Sequence, residues 1–210
     1  MPKKHYQKPK MNKSTAKQAI VFLVLLVSMW HNAAARAIST LQTDTSKVRK
    51  AADGRVFPTP PPNSKRLFYL QRSPNINALS YDINIDASTG KANEDEPIHV
   101  YWLRYAEGNG EPSELTFVQR KFAYGVTVDK LSDDKYDIRI MSYKKFPLTL
   151  MRGADGKYHI FATVAKKQLI LQSIFIQIDG GSVFAPNVTY IEIKGVDPVT
   201  GKVVTERFKP

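Results

Sequence analysis

Polar side chains that could bind a ligand are concentrated where the β-rich part of the chain begins. The stretch QRSPNIN (71–77) places Arg72, Asn75 and Asn77 around a proline, and a second Gln-Arg pair contains Arg120. An arginine at a strand end can hold a carboxylate or a phosphate through two parallel N–H donors. Asparagines beside a proline also suit a turn, because their side chains bond to nearby backbone groups. Two interpretations therefore stay open: an anion-binding site, or internal bonds and ion pairs that hold a corner and a helix in place.

Aromatic side chains are dense in the same half of the domain, and Tyr and Trp combine a large apolar surface with one polar group. The stretch YWLRY (101–105) carries more aromatic surface than a sheet with one covered face needs. We predict a pocket between this strand and the following helix, which would hold a small, partly apolar ligand. Arg72 or Arg120 would neutralise an acidic group on that ligand. The candidate ligand-binding residues are Arg72, Asn75, Asn77, Tyr101, Trp102, Tyr105, Phe117, Arg120, Phe122 and Tyr124.

Metal and cofactor chemistry has little support in the sequence. No cysteine is present, which excludes thiol catalysis and sulfur-ligated metals. The sequence contains no Gly-rich phosphate loop, no G-x-S-x-G motif and no H-E-x-x-H motif. His99 and His159 could share a metal only if their strands were neighbours, which the sequence does not indicate. We therefore predict no metal and no cofactor.

Paired carboxylates offer an alternative, catalytic interpretation. They occur at Asp133-Asp134 and in the run NEDE (93–96). A glycosidase needs two carboxyl groups held across a cleft, one of them desolvated. Both runs lie in polar loops, which favours solvent-exposed turns. A hydrolase acting on envelope polysaccharide or lipid would instead need Asp82, Asp137 or His99 to converge in one cleft.

The first 37 residues have the organisation of a signal peptide. Lysines precede an apolar run from Ala19 to Trp30, and NAAARA then offers cleavage after Ala35 or Ala37. The apolar run is short for a membrane span, so a retained anchor helix is only the alternative. Translation could start at Met1 or at Met11. We predict a periplasmic or secreted protein with no membrane span after cleavage.

The charge of the chain depends on this segment. Removing residues 1–37 takes away seven Lys and Arg and no acidic residue, which reduces the net charge from +12 to +5. A mildly basic domain of this kind does not suggest a nucleic-acid partner.

The remaining sequence divides into an arm and a β-rich domain. Residues 38–66 contain few large apolar side chains and the tract PTPPP, which predicts a flexible, Pro-rich arm. From residue 67 to 210 the pattern is one of strands. The stretch ALSYDINIDA alternates apolar and polar residues, which predicts a strand with one face in the core and the other in water. About nine such strands predict a single all-β domain, an antiparallel sandwich or barrel.

One short helix is expected between these strands. The stretch TFVQ fits a capping box, with Thr116 as the N-cap and Gln119 bonding back to it. The helix would continue for about two turns, and Gly125 would end it in the left-handed conformation.

Several extended strings resemble a known family. LFYLQRSPNINALSYDIN, PIHVYWLRY, ELTFVQRKFAYG and YIEIKGVDPVTGKVV, in this order, resemble a family of exported bacterial proteins that contain domain of unknown function 4833. The resemblance covers about residues 66–208. It implies a secreted or periplasmic β-rich domain, and it implies no activity and no catalytic residues.

The sequence therefore predicts an exported β-domain that serves as a binding or envelope-associated module for a small, partly apolar ligand. Its partner would be a small molecule, a lipid or a component of the cell envelope. Two alternatives stay open. One is the hydrolase described above, and the other is a structural or assembly protein that pairs through an exposed edge strand.

Overall fold

The computed structural model describes residues 49–51, 53–182 and 185–210. The predicted signal peptide and the first part of the predicted arm lie outside these residues. Among the residues described, no helix is both long and apolar enough to cross a membrane.

Strands dominate the described part of the chain, and three short helical segments interrupt them. The helical segments are α1 (Phe117–Gln119), a π-helix (Arg120–Tyr124) that continues it, and a 3-10 turn (Met141–Tyr143). The strands are β1 (Arg49–Lys50), β2 (Val56–Phe57), β3 (Arg66–Arg72), β4 (Ala78–Ile83), β5 (Ile98–Arg104), β6 (Glu111–Glu114), β7 (Val126–Ser132), β8 (Lys135–Ile140), β9 (Leu148–Arg152), β10 (Tyr158–Val164), β11 (Lys167–Gly181), β12 (Pro186–Val196) and β13 (Val203–Phe208).

The long strand β11 joins two four-stranded branches into one eleven-stranded sheet. Its first residues pair with β10, the end of the branch β7-β8-β9-β10, and residues 173–176 pair in parallel with β3, the end of the branch β6-β5-β4-β3. Strand β12 occupies the opposite edge of β11 and pairs in turn with β13. All pairings except β3–β11 are antiparallel. The sheet curls around one core, and the prediction of a single all-β domain is confirmed.

The inner face of the sheet is built from the alternating apolar residues. Leu79 and Tyr81 of β4 are fully buried, and the ring of Phe68 stacks on that of Tyr81 at 4.3 Å between centroids. Residues from both branches, such as Leu79 and Ile160, belong to the same core cluster. Alternation at a period of two therefore places this core as expected.

The outer face of β4 differs from the expectation of a water-facing surface. Ser80 and Asp82 point to that face and are nevertheless buried. The prediction of a solvated face is wrong here because a segment of the predicted arm covers these side chains.

Residues 56–66 lie against the sheet instead of forming a free arm. Phe57 is buried and meets the ring of Phe175 edge-on at 5.1 Å. The extended prolines expose carbonyl acceptors: Gln71 donates to the Pro58 carbonyl at 2.8 Å, and Arg66 donates to the Pro61 carbonyl at 2.6 Å. A proline-rich segment is stiff, so its ordering on the sheet costs less conformational entropy than that of an ordinary loop.

The predicted helix is present, but its end differs from the prediction. Thr116 Oγ1 accepts from the Gln119 amide at 3.3 Å, and Gln119 Oε1 accepts from the Thr116 amide at 3.0 Å, which is the capping box. Gly125 has φ −64° and ψ 178°, so it is extended and not left-handed. Its amide bonds to the Arg120 carbonyl at 3.1 Å, and the chain passes directly into β7.

Replacing Gly125 by alanine is expected to lower the free energy of unfolding by about 2 kcal/mol, because overpacking of a tight site costs about 1–3 kcal/mol. A Cβ atom on Gly125 would lie 2.2 Å from the Arg120 carbonyl oxygen, which is a backbone atom and cannot rotate away. Urea denaturation of the two proteins measures the difference. Gly156 has open space around the corresponding position, although its φ of 75° strains any side chain. Gly156→Asn, which tolerates that conformation, is the control.

Candidate functional site

The ten predicted binding residues divide between two faces of the sheet and the solvent. Successive side chains of a strand point to opposite faces. Trp102 belongs to the core cluster, whereas Tyr101 donates its hydroxyl to Asp82 on the outer face. Phe117 and Phe122 are 72% and 64% exposed. The sequence predicted that these aromatic residues line one pocket. In the structure they do not line one surface.

Four side chains do come together at the end of the sheet where β3 and β5 finish. Arg72, Trp102, Arg104 and Tyr124 form what we call the arginine–aromatic cluster. The Tyr124 ring meets the Trp102 ring edge-on at 5.1 Å. The Arg72 guanidinium lies 4.9 Å from the Tyr124 centroid and 5.9 Å from that of Trp102. The Arg104 guanidinium lies 5.1 Å from the Trp102 centroid.

Strand periodicity accounts for this arrangement. Arg72 follows Phe68 and Leu70 on the inner face of β3, and Arg104 follows Trp102 on the inner face of β5. Leu70 pairs with Leu79, which pairs with Trp102, so these positions are in register across three strands. Both arginines come at the last position of their strand, where the core ends and a charged group can reach solvent.

The helix supplies the remaining part of the cluster. Trp102 Nε1 donates to Gln119 Oε1 at 3.4 Å, and the Tyr81 hydroxyl donates to the Tyr124 carbonyl at 2.9 Å. Burial raises the pKa of Tyr81, so its hydroxyl stays protonated and keeps this bond at physiological pH. Tyr124 is thus held from the core side while its ring faces Arg72.

Arg72 has no acidic partner within the described residues. No carboxylate there lies within ion-pair distance of its guanidinium, and its Nε atom is buried without a hydrogen-bond acceptor. Arg104 reaches only Glu107, at 3.9 Å. The cluster therefore holds two positive charges beside aromatic rings with little internal compensation.

Arg120 has the opposite environment. Its guanidinium pairs with Glu96 at 2.9 Å and with Glu114 at 3.2 Å, which connects the π-helix to β6 and to the loop before β5. These contacts match the internal ion pair that the sequence left open. The second Gln-Arg pair thus helps to fix the helix in place.

Asn75 and Asn77 stabilise the corner between β3 and β4. Asn75 Oδ1 accepts from the Asn77 amide at 3.1 Å. The buried Asn77 side chain donates to Glu107 at 2.8 Å and accepts from the Ala106 amide at 2.8 Å. Its polar atoms are engaged by the protein itself, which favours the structural interpretation of the QRSPNIN corner.

Tyr105 lies just after β5 and is half-buried. Its hydroxyl oxygen is buried and has no hydrogen-bond partner among the described residues. Burial raises the pKa of Tyr105, so the phenol is neutral and can donate a hydrogen bond.

The residues proposed for catalysis converge only in part. Asp82 and His99 are direct cross-strand partners on β4 and β5. His99 Nε2 lies 2.9 Å from Glu114, and Asp82 accepts from Tyr101 at 2.9 Å. Asp137 is on β8, where it pairs with Arg139 at 2.7 Å. The Asp82 carboxylate is thus occupied by donors of the chain itself, as is typical of a structural group.

Two concave surfaces lie away from the arginine–aromatic cluster. One, of about 450 Å³, lies between the β1–β2 hairpin and the β11–β12 pair, and its arginines are already paired, Arg49 with Glu192 and Arg55 with Asp53. The other, of about 360 Å³, is lined by acidic residues and by Lys91 and Lys130. Within the described residues no group of three or more His, Asp or Glu side chains could hold a metal ion.

A family profile matches most of the residues that form the sheet. Residues 68–207 match the profile described as a domain of unknown function, DUF4833. The chain belongs to the DUF4833 family. This match spans β3 to β13 and includes every member of the arginine–aromatic cluster, so the cluster lies within the DUF4833 domain. No curated protein and no solved structure matched the chain.

The sequence did not single out Arg104, although the signal was available. It lies two positions after Trp102 within YWLRY, which places it on the same face of the strand. That Arg72 has no partner among the described residues could not be predicted from the sequence, because it depends on which loops come near the end of β3.

Proposed function

We propose that this DUF4833 protein is exported to the periplasm or secreted, and that it binds a small, partly apolar ligand with an acidic group through the arginine–aromatic cluster. The observation that carries the proposal is the half-buried Arg72, whose guanidinium lies beside two aromatic rings and has no carboxylate partner in the described residues.

The energetics favour an external anion. A buried donor without an acceptor costs about 1–3 kcal/mol, and more if it is charged. A cation–π contact at a partly exposed site returns about 0.5–2 kcal/mol, which compensates only part of this cost. A carboxylate or a phosphate would supply the missing acceptors of Arg72, and Arg104 would add a second positive charge nearby.

The neighbouring rings suit the apolar part of such a ligand. Trp102 is buried, and Tyr124, which meets it edge-on, is half-buried, so the exposed part of the Tyr124 ring is the apolar surface that a ligand would contact. A carboxylate or phosphate on an apolar body fits this combination of charge and ring surface.

Export is proposed from the first 37 residues, which combine a lysine-rich start, an apolar run and small residues at two cleavage positions. The mass of the protein recovered from expression in a bacterium with a periplasm tests this part. Cleavage after Ala35 or Ala37 is expected, and an intact N-terminus would contradict export by this signal.

Binding can be measured through the intrinsic fluorescence of Trp102. The chain has two tryptophans, so Trp30→Phe leaves Trp102 as the only reporter. In this background decanoate is expected to change the fluorescence with saturation, and decanol, which lacks the charge, is expected to bind much more weakly. Arg72→Gln should reduce the affinity for decanoate roughly tenfold to a hundredfold, because hydrogen bonds to charged groups contribute about 1.5–3 kcal/mol.

Arg139→Gln is the matched control, since Arg139 is also half-buried on a strand but pairs with Asp137. It should leave decanoate affinity unchanged. Decyl phosphate in place of decanoate distinguishes a preference for phosphate from one for carboxylate. Equal affinity of the parent and Arg72→Gln for both anions would overturn the proposal.

The other two functions have less support from the described residues. The Asp82 carboxylate, which a hydrolase would use, accepts bonds from Asn63, Tyr101 and Ser80. Of the three edge strands of the sheet in the described residues, β6 contains Pro112 and β7 has an irregular register between Lys130 and Ser132, whereas β13 pairs regularly with β12. Proline and bulges both oppose pairing with a strand from another chain.

A further inference from the structure

The short helix carries an exposed apolar surface that the ligand site does not use. Phe117 is 72%, Val118 is 63% and Phe122 is 64% exposed. We call these three side chains the helical apolar patch. Single exposed apolar residues are ordinary, but three large ones within six positions form a contiguous surface that needs an explanation.

Lys121 connects the two phenylalanines of the patch. Phe117 begins α1, and Phe122 lies in the π-helix that continues it. Lys121 lies between them, with its Nζ atom 5.4 Å from the Phe117 centroid and 5.6 Å from that of Phe122. The patch is therefore two aromatic rings and a valine around one ammonium group.

The charges bordering the patch are positive. The 3-10 turn contacts the π-helix, and the exposed residues Lys144 and Lys145 follow it directly. The carboxylates that contact the π-helix, Glu96 and Glu114, are both paired with its Arg120. A surface of this composition complements a negatively charged partner.

The size of the patch separates a lipid surface from a protein partner. With about 150–250 Å² for a fully exposed aromatic side chain, the three residues present roughly 400 Å² of apolar surface. A specific protein interface buries roughly 800 Å² on each partner. A bilayer has no such requirement, because individual aromatic side chains insert among the headgroups while lysines bind anionic lipids.

We propose that the helical apolar patch docks on the surface of a bilayer that contains anionic phospholipids. Phe117, Val118 and Phe122 enter the interface, and Lys121, Lys144 and Lys145 bind the lipid phosphates. The contact is peripheral, since it needs only side chains of one short helix and of the residues that follow the neighbouring 3-10 turn. It is independent of the arginine–aromatic cluster, although the same helix supplies Gln119 and Tyr124 to that cluster.

The absence of cysteine from the chain allows a site-specific test. The full chain with Val118→Cys is labelled with the environment-sensitive fluorophore NBD and mixed with vesicles of phosphatidylcholine alone or with phosphatidylglycerol. We expect a severalfold increase in NBD emission, with a blue shift, on the anionic vesicles only. The label reports insertion at the helix itself, so binding through the apolar N-terminal segment does not produce the signal.

Val199→Cys, labelled in the same way, is the control, because Val199 is 91% exposed and lies in the loop between β12 and β13. Its emission should not change. Replacing Lys121, Lys144 and Lys145 by glutamine in the Val118→Cys protein should weaken binding to anionic vesicles at least fivefold. Arg72→Gln should have no effect, which separates this proposal from that of ligand binding.

Three outcomes would overturn the proposal. NBD at position 118 could show no change on anionic vesicles, or it could respond equally to vesicles of phosphatidylcholine alone. It could also change with protein concentration in the absence of vesicles, and the patch would then be a contact between two copies of the chain.

Discussion

Replacing Asp82 by alanine is expected to lower the free energy of unfolding by about 3 kcal/mol, within the range for removing one partner from a buried charged network. Asp82 is 5% exposed. Its Oδ2 atom accepts from Asn63 at 2.6 Å and from Tyr101 at 2.9 Å, and its Oδ1 atom accepts from Ser80 at 2.5 Å. Alanine would leave these donors without an acceptor and would leave Arg66, 4.0 Å away, without its nearest carboxylate.

The loss of stability in Asp82→Ala should be accompanied by release of the proline-rich segment, residues 56–66, from the sheet. Asn63 belongs to that segment, and the adjacent Lys65 carbonyl accepts from the Ile83 amide at 2.7 Å. Hydrogen exchange at Ile83 should therefore accelerate in Asp82→Ala under conditions where the core strands stay protected. Asp82→Asn keeps the shape of the side chain, but its NH₂ group would face one or more of the donors that Asp82 accepts from. An intermediate loss of unfolding free energy is therefore expected.

Asp137→Ala is the matched control for Asp82→Ala. Asp137 is also a strand aspartate paired with an arginine, but it is only half-buried, and partly exposed ion pairs contribute about 0–1 kcal/mol. Urea denaturation of the parent and the two variants checks the prediction. Equal losses for both variants, or unchanged exchange at Ile83, would contradict the role assigned to Asp82.

The sequence predicted those parts of the fold that depend on local pattern. The alternation in ALSYDINIDA placed Leu79 and Tyr81 in the core, and TFVQ identified the capping box of Thr116 and Gln119. Both signals arise from backbone geometry within a few residues, so they need no knowledge of the remaining chain.

Features that depend on distant segments were missed. The sequence predicted that Ser80 and Asp82 face water, because nothing in β4 indicates that residues 56–66 lie against this strand. The extended end of the helix at Gly125 depends on how β7 continues from the π-helix, which a glycine alone does not indicate.

The candidate site was predicted in part. Arg72, Trp102 and Tyr124 come together, but Tyr101 was assigned to the same pocket wall as its neighbour Trp102. Two adjacent residues of a strand cannot share a face, so the period of two already contradicted that assignment. Whether Arg72 or Arg120 is free of internal partners could not be predicted, because Glu96 and Glu114 reach Arg120 only through the folding of β6 and the loop before β5.

Replacing Trp102 by alanine is expected to lower the free energy of unfolding by about 3–5 kcal/mol, the usual range for truncating a buried large aromatic residue. Trp102 is 4% exposed and packs in the core next to Tyr124. Its removal would open a cavity and would also remove the ring contact of Arg104 and one of the two ring contacts of Arg72. A loss of this size is a large fraction of the 5–15 kcal/mol that stabilises a typical domain.

Trp102→Phe separates the structural role of this residue from a role in binding. Phenylalanine keeps most of the apolar volume and a ring face for Arg72, so a loss of only about 1–2 kcal/mol is expected. Phe122→Ala, at an exposed aromatic position, should change stability by less than about 0.5 kcal/mol. Urea denaturation of the three variants ranks their losses of unfolding free energy. A Trp102→Ala protein as stable as Phe122→Ala would place Trp102 outside the core. Because Trp102→Ala weakens the whole domain, loss of a ligand in that variant would not identify a binding residue. Trp102→Phe lacks the fluorescent reporter, so calorimetric titration with decanoate measures binding in this variant. Loss of binding in Arg72→Gln with retention in Trp102→Phe would assign binding to the charge of Arg72.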